Sequence, residues 1–101
     1  MIKVSVLYPN GEGKKFDMAY YCNNHIPMCR EKLGCVKVAV EEGLAGAAPG
    51  IPAPYIAMGH LYFDTLDAFQ AAFEPNAPAI MADITNYTDI APVMQISEVK
   101  L

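Results

Sequence analysis

The sequence has little charge and no basic cluster. Only 18% of its 101 residues are charged, and its seven lysines and arginines are scattered, with Lys14-Lys15 the longest stretch. Binding a phosphate backbone needs clustered cations that displace counterions, so nucleic acid is not an expected partner. No apolar run approaches the roughly 20 residues that a bilayer-crossing helix needs, so no membrane association is expected. The opening MIKVSVLYPNGEGKK lacks a long apolar core with a small-residue cleavage site. No signal peptide is read there, and a cytoplasmic location is expected. Cysteine is sparse and odd in number (Cys22, Cys29, Cys35), which fits free thiols in a reducing compartment. Internal repeats and low-complexity tracts are lacking too.

Apolar side chains are abundant, at 53% of residues, against a net charge of -4. Such a chain has ample surface to bury, which excludes intrinsic disorder. Its length suits a single domain over residues 1–101. A domain this small buries a modest area, and its surplus of apolar residues predicts a homo-oligomer.

Residues 2–8, IKVSVLY, alternate with period two, which predicts a strand. Residues 9–13 then break it with a proline and two glycines. From about 14 to 33 the period becomes helical. Met18, Cys22, His25, Ile26, Cys29 and Leu33 fall within one arc of about 100°, with Tyr21 and Met28 on its flank. Gly34 closes this helix. Pro27 lies inside it, cannot donate to the carbonyl of Asn23, and predicts a kink beside His25. Residues 36–40 read as a second strand and 44–54 as an irregular loop. The third strand, 55–63, is largely apolar on both faces. Asp64 or Thr65 caps a second helix with a buried stripe of Leu66, Phe69 and Phe73, which Pro75 ends. A helical turn and a polar loop fill 76–92, and residues 93–101 form the fourth strand.

The order β-α-β-β-α-β predicts an α+β, ferredoxin-like unit: a four-stranded antiparallel sheet with both helices on one face. Strand three is apolar on its other face as well. That open face is therefore expected to meet an identical sheet, giving a homodimer.

Two residues lead the candidate catalytic groups. His25 sits in the apolar arc, where desolvation keeps an imidazole neutral and able to act as a general base. The bland reading is a core histidine bonded to a backbone carbonyl. Tyr21, one turn earlier, offers a hydroxyl on the same side, or simply packs. Asp83 is a candidate to orient His25, or else a turn cap. Tyr20, Met18, Asn86 and Tyr87 are candidate ligand contacts. So is His60, which should point away from the helices, to line a cavity or pair with a carboxylate across the interface. Cys22, His25 and Cys29 share a stripe, but the two thiols stand about 10 Å apart along the axis, too far for one zinc ion. No metal site is read.

Several segments also carry a resemblance. These are Phe16-Asp17-Met18-Ala19-Tyr20-Tyr21, the His25-Ile26-Pro27-Met28 box, Gly34, Gly59-His60-Leu61-Tyr62-Phe63-Asp64 with Ala68-Phe69, and Asp83-Ile84-Thr85-Asn86-Tyr87-Thr88-Asp89. In that order the chain resembles the EthD-like family of the dimeric α/β-barrel superfamily over nearly its whole length. The helix box is the most specific part. The resemblance implies two sheets closing into a dimeric α/β barrel and a pocket between sheet and helices in each subunit. The family is named for a protein encoded with a cytochrome monooxygenase system that degrades fuel ethers. Superfamily relatives include cofactor-free monooxygenases, polyketide cyclases and muconolactone-type isomerases, and others bind haem, for which His25 or His60 would be the ligand. Fold alone does not select among these chemistries.

The expectation is a cofactor-free catabolic enzyme acting on a small apolar oxygenated compound, with His25 as base, Tyr21 as donor and Asp83 as orienter. The alternative is a non-catalytic binding or accessory protein of an oxygenase system.

Overall fold

All 101 residues are described by the computed structural model. Strand β1 (Ile2–Pro9) is followed by helix α1 (Met18–Tyr20, Tyr21–His25 and Ile26–Leu33 in succession) and by β2 (Lys37–Glu42). Then come β3 (Tyr55–Phe63), α2 (Leu66–Asp83) and β4 (Val93–Glu98). The strands form one antiparallel sheet in the order β2-β3-β1-β4, as a ferredoxin-like fold requires.

Register sorts the side chains onto two faces. Val4, Val6 and Tyr8 stand opposite Leu61, Gly59 and Ala57, and Val38 and Val40 extend that face outward. The helices cover it, burying Val4, Tyr8, Ala57 and Leu61 with Ile26, Cys29, Leu33, Phe69 and Ile80. The other face pairs Lys3, Ser5 and Leu7 with Tyr62, His60 and Met58. Its centre is polar, with Ser5, His60 and Gln95 side by side between apolar Leu7, Met58 and Val93 at one end and Tyr62 at the other. The sheet's open face is thus mixed rather than uniformly apolar, because a period-two pattern names faces and not what sits beside them.

Helix α1 starts at Met18, four residues later than the periodicity suggests. Residues 15–17 are instead tied to the segment after α2. Phe16 bridges to Thr88, and the Asp17 amide donates to the Tyr87 carbonyl at 2.8 Å. Asp17 then caps the helix, its carboxylate accepting from the Tyr20 amide at 3.0 Å. The helix is α-helical over Met18–Tyr20, widens into a π turn over Tyr21–His25, and is α-helical again over Ile26–Leu33. Gly34 closes it with φ of 64°.

The expected kink at Pro27 takes the form of that π turn. Proline lacks an N–H and its ring crowds the carbonyl four residues back, and a wider turn relieves both. The extra residue per turn rotates the helix frame. Tyr21 moves from the flank into the buried stripe and Cys22 moves out into solvent, contrary to the straight-helix reading.

Helix α2 is capped by Thr65, whose hydroxyl accepts from the Ala68 amide at 3.1 Å. It does not end at Pro75 but continues through Pro75 and Pro78 to Asp83. An isolated helix loses about 3 kcal/mol per internal proline. Here both rings face solvent, and the Asn76 side chain donates to the carbonyls of Ala72 and Lys32 at 2.8 and 3.2 Å. Phe69 and Ile80 are buried on the far side, and that packing sustains the helix past the prolines. Leu66, at the helix start, stays 41% exposed and leaves the stripe to Phe69, Phe73 and Ile80.

Candidate active site

Three chain segments converge at one end of the covered face. The π turn aims Tyr21 and His25 at the sheet. The end of α2 supplies Asp83, and the turn after it supplies Asn86 and Tyr87, held to residues 15–17 by the bonds above.

His25 is buried, and its Nδ1 lies 2.8 Å from Asp83 Oδ2. A carboxylate only accepts, so Nδ1 carries the proton and Nε2 is left with the lone pair. Burial lowers the His25 pKa below its ordinary 6.5, and Asp83 offsets part of that drop. The neutral imidazole is therefore the resting form at neutral pH.

Asp83 is held in turn. Its other oxygen accepts from the Tyr20 hydroxyl at 2.8 Å and from the Asn86 amide at 2.9 Å. Burial pushes its carboxyl upward, but the bonds from Asn86, His25 and Tyr20 outweigh that and leave its pKa lowered. Tyr20 and Asn86 were read as ligand contacts, and the structure engages them with Asp83. Tyr87 is buried too, its hydroxyl 2.7 Å from that of Tyr8 and its ring 4.7 Å from His25. Met18 is half-buried against the core and does not reach the cavity.

The cavity lies between sheet and helices and measures about 40 Å³. That is room for two or three waters, on the order of 15 Å³ each by this measure. Its walls include Val6, Tyr8, Tyr21, Leu61 and Phe73 around His25, and no lysine, arginine or carboxylate lines it. No side-chain nitrogen or oxygen sealed from solvent lacks a hydrogen bond. His25 Nε2 has no partner in the protein, so it must touch accessible space. The Tyr21 ring stacks on His25 at 5.6 Å and its hydroxyl reaches the sheet beside Gly59. Any side chain at 59 would collide with that hydroxyl. Burial raises the Tyr21, Tyr87 and Tyr8 hydroxyls above 10.0, so all three are neutral donors.

Tyr8 and Gly59 were not among the sequence candidates. The signal for Tyr8 was its place on the apolar side of the first strand, an aromatic hydroxyl in line with Val4 and Val6.

His60 does not join this site. It lies on the open face, as its strand alternation implies, with Nδ1 2.9 Å from Ser5 Oγ and Nε2 3.1 Å from Glu41 Oε1. Its carboxylate partner stands on the neighbouring strand of the same chain, not across an interface. Cys29 and Cys35 are buried, and burial pushes the Cys29 thiol up to about 12. No group of three His, Cys, Asp or Glu side chains is close enough to hold a metal ion.

The family model for the EthD domain matches residues 10–91. Among solved structures, an EthD-like protein from Ralstonia eutropha JMP134 is 50% identical with a TM-score of 0.95, covering 99% of this chain and 92% of that one. An ethyl tert-butyl ether D (EthD) family protein from Bacillus halodurans C-125 is 23% identical with a TM-score of 0.75, covering 99% of each chain. A dimeric protein of unknown function and ferredoxin-like fold from Bacteroides fragilis NCTC 9343 shares the fold at 15% identity and a TM-score of 0.57, covering 97% and 95%. No functionally curated protein matches the chain significantly.

Proposed function

The chain belongs to the EthD family, and on that footing we propose that it performs proton transfer at His25 on a small, neutral, mostly apolar oxygenated molecule. The observation that carries this reading is the unpartnered Nε2 of a neutral imidazole, anchored through Nδ1 to Asp83, on a residue that lines an apolar cavity. That nitrogen can take a proton from a phenol, an enol or a carbon beside a carbonyl. Asp83 then stabilises the imidazolium that forms, and Tyr20 and Asn86 keep Asp83 in place. The Tyr21 side chain lines the same cavity, and its neutral hydroxyl is the donor for the oxygen that gains charge. Returning the proton to a different atom completes an isomerisation or a cyclisation and needs no cofactor. Because no cation lines the cavity, a carboxylate or phosphate would enter without a countercharge. The substrate is therefore uncharged.

We also propose that the chain works as a homodimer joined through the open sheet face, where Leu7, Met58, Tyr62 and Val93 present apolar area. The similar Bacteroides fragilis structure is described as dimeric.

The test is an NMR titration of the histidine ring signals, assigned with His25→Ala, with and without a panel of neutral phenols, enols and lactones. His25 should titrate below 6.5 and shift with at least one compound, and Asp83→Asn should lower its pKa further. His25→Ala should keep the fold and abolish turnover of the responding compound. A His25 that responds to no member of the panel sets this site aside. A compound that shifts His25 but is never turned over makes the protein a binder.

A further inference from the structure

The His25 cavity contains two polar atoms that the protein leaves without a partner. His25 is 4% exposed and Tyr21 only 1%, so both side chains are almost wholly buried. Neither the His25 Nε2 nor the Tyr21 hydroxyl has a hydrogen bond to another protein atom, yet no sealed polar atom is unbonded. Each therefore touches accessible space, and both residues line the same cavity. The first atom is a lone pair that accepts, and the second is an O–H that donates.

A second hydroxyl belongs with them. Tyr8 lines the cavity from β1, and its oxygen lies 2.7 Å from that of Tyr87, which does not line it. Two hydroxyls bring two protons, and one bond between them uses only one. Burial is the largest influence on Tyr8 and on Tyr87. After burial, the hydroxyls of Tyr87 and Tyr21 both lower the Tyr8 pKa, while the bond to Tyr8 raises that of Tyr87. A bond that a hydroxyl accepts favours its ionised form, and one that it donates opposes it. Tyr87 is therefore the donor and Tyr8 the acceptor. The Tyr8 proton is left over, since Tyr87 is the only side chain within hydrogen-bonding geometry of its hydroxyl. The influence of Tyr21 on Tyr8 also sets their two hydroxyls close together.

We infer that Tyr8 and Tyr21 form a two-hydroxyl site for one carbonyl oxygen, with Tyr87 positioning Tyr8, and that the compound turned over is an enolisable ketone. This rests on the proton transfer at His25 proposed above. A carbonyl oxygen carries two lone pairs and no proton, which matches two donors. His25 Nε2 takes a proton from the carbon beside the carbonyl. The C–H pair becomes a C=C bond, and the carbonyl π pair moves onto oxygen, where the two hydroxyls meet the new charge. The imidazolium returns the proton to a more distant carbon, so that a β,γ-unsaturated ketone becomes its α,β isomer. Nothing is oxidised and no co-reactant is consumed. A phenol can also give its proton to His25, but the phenolate then needs an oxidant or an electrophile to go further. The space agrees with a small reacting end. It holds about two or three waters, the size of a carbonyl and the carbon beside it. The rest of the ligand would lie against Met81 and Met94, which line the cavity and are 47% and 40% exposed.

Deuterium exchange reads this step directly. Cyclohex-3-enone is incubated with the protein in deuterium oxide. NMR follows deuterium entering the carbon beside the carbonyl, and conversion to cyclohex-2-enone. The expected result is exchange above the buffer rate, lost in His25→Ala and slowed about a hundred-fold in Tyr8→Phe and in Tyr21→Phe. Tyr87→Phe should slow it less, and should add no further loss to Tyr8→Phe, because Tyr87 acts only through Tyr8. A packing defect would instead add its own loss. Where Tyr8→Phe orphans the Tyr87 hydroxyl and does not fold, the double phenylalanine variant removes both partners and carries the comparison. Exchange that needs His25 but survives loss of the Tyr8 hydroxyl overturns this inference alone. So does a His25 signal that shifts with neutral phenols while cyclohex-3-enone exchanges no faster than in buffer. No exchange, together with no His25 response to any compound, overturns the proton-transfer reading as well.

Discussion

His25 is held between two opposing influences, and their balance sets how the protein answers to pH. Burial favours the neutral ring and Asp83 favours the charged one, and burial is the larger. In the unfolded chain His25 takes up its proton near 6.5, while in the fold it does so only at lower pH. Its contribution to stability is therefore complete above 6.5 and is lost as pH falls through the folded value. Asp83 acts in the same direction further down, its lowered pKa contributing stability that is lost below 3.8 as the carboxylate protonates. Thermal melting of the wild type should thus be flat above pH 7 and decline below about 6.5, and His25→Gln should remove the upper part of that decline. A wild-type melting temperature that rises between pH 6.5 and 5 would contradict a buried neutral ring. At this scale helical spacing showed His25 facing inward, and Asp83, which the sequence offered either as its orienter or as a turn cap, lies 2.8 Å from its ring. The sequence assigned Tyr20 and Asn86 to a ligand, because spacing on separate segments cannot show that both hydroxyl and amide meet one carboxylate.

The elements show where pattern reading holds and where it fails. Alternation placed β1 and β3 with the right faces, since a strand's period of two survives any change in its neighbours. α1 and α2 were harder because both contain proline. The Pro27 kink was legible, but whether it would be a bend or a widened turn was not. That difference decides whether Tyr21 or Cys22 faces the sheet. Pro75 looked like a stop, and only packing of Ile80 against the sheet makes the helix continue. The seam between α1 and β3 gives a test. Gly59→Ala would place a methyl on the Tyr21 hydroxyl and should cost about 1–3 kcal/mol by overpacking. Urea unfolding measures it, and Tyr21→Phe in the same chain should recover part of the loss. An unchanged midpoint would mean that Tyr21 does not rest against that strand.

For the whole molecule, the open face is the main unspent surface. It mixes apolar Leu7, Met58, Tyr62 and Val93 with the Ser5, His60 and Glu41 chain of hydrogen bonds. Polar groups already bonded to one another can enter an interface without being orphaned. The dimer should therefore be stable, with twice the chain mass by light scattering and a melting temperature that rises with protein concentration. Met58→Glu, which places a second carboxylate opposite Glu41, should yield monomer. A concentration-independent melt together with a monomer mass in the wild type would remove the dimer.

The fold class, the order of elements, the inward face of His25 and the side of the sheet taken by His60 were all set by local periodicity and could be read along the chain. Periodicity is a property of consecutive residues, so it survives without coordinates. The hydrogen bonds to Asp83, the reach of Tyr8 to Tyr87, the turn that buries Tyr21 and the continuation of α2 join residues up to 79 positions apart in the chain. Such distances are settled by how helices rest on a sheet, and that packing balance exists only once the whole chain has closed.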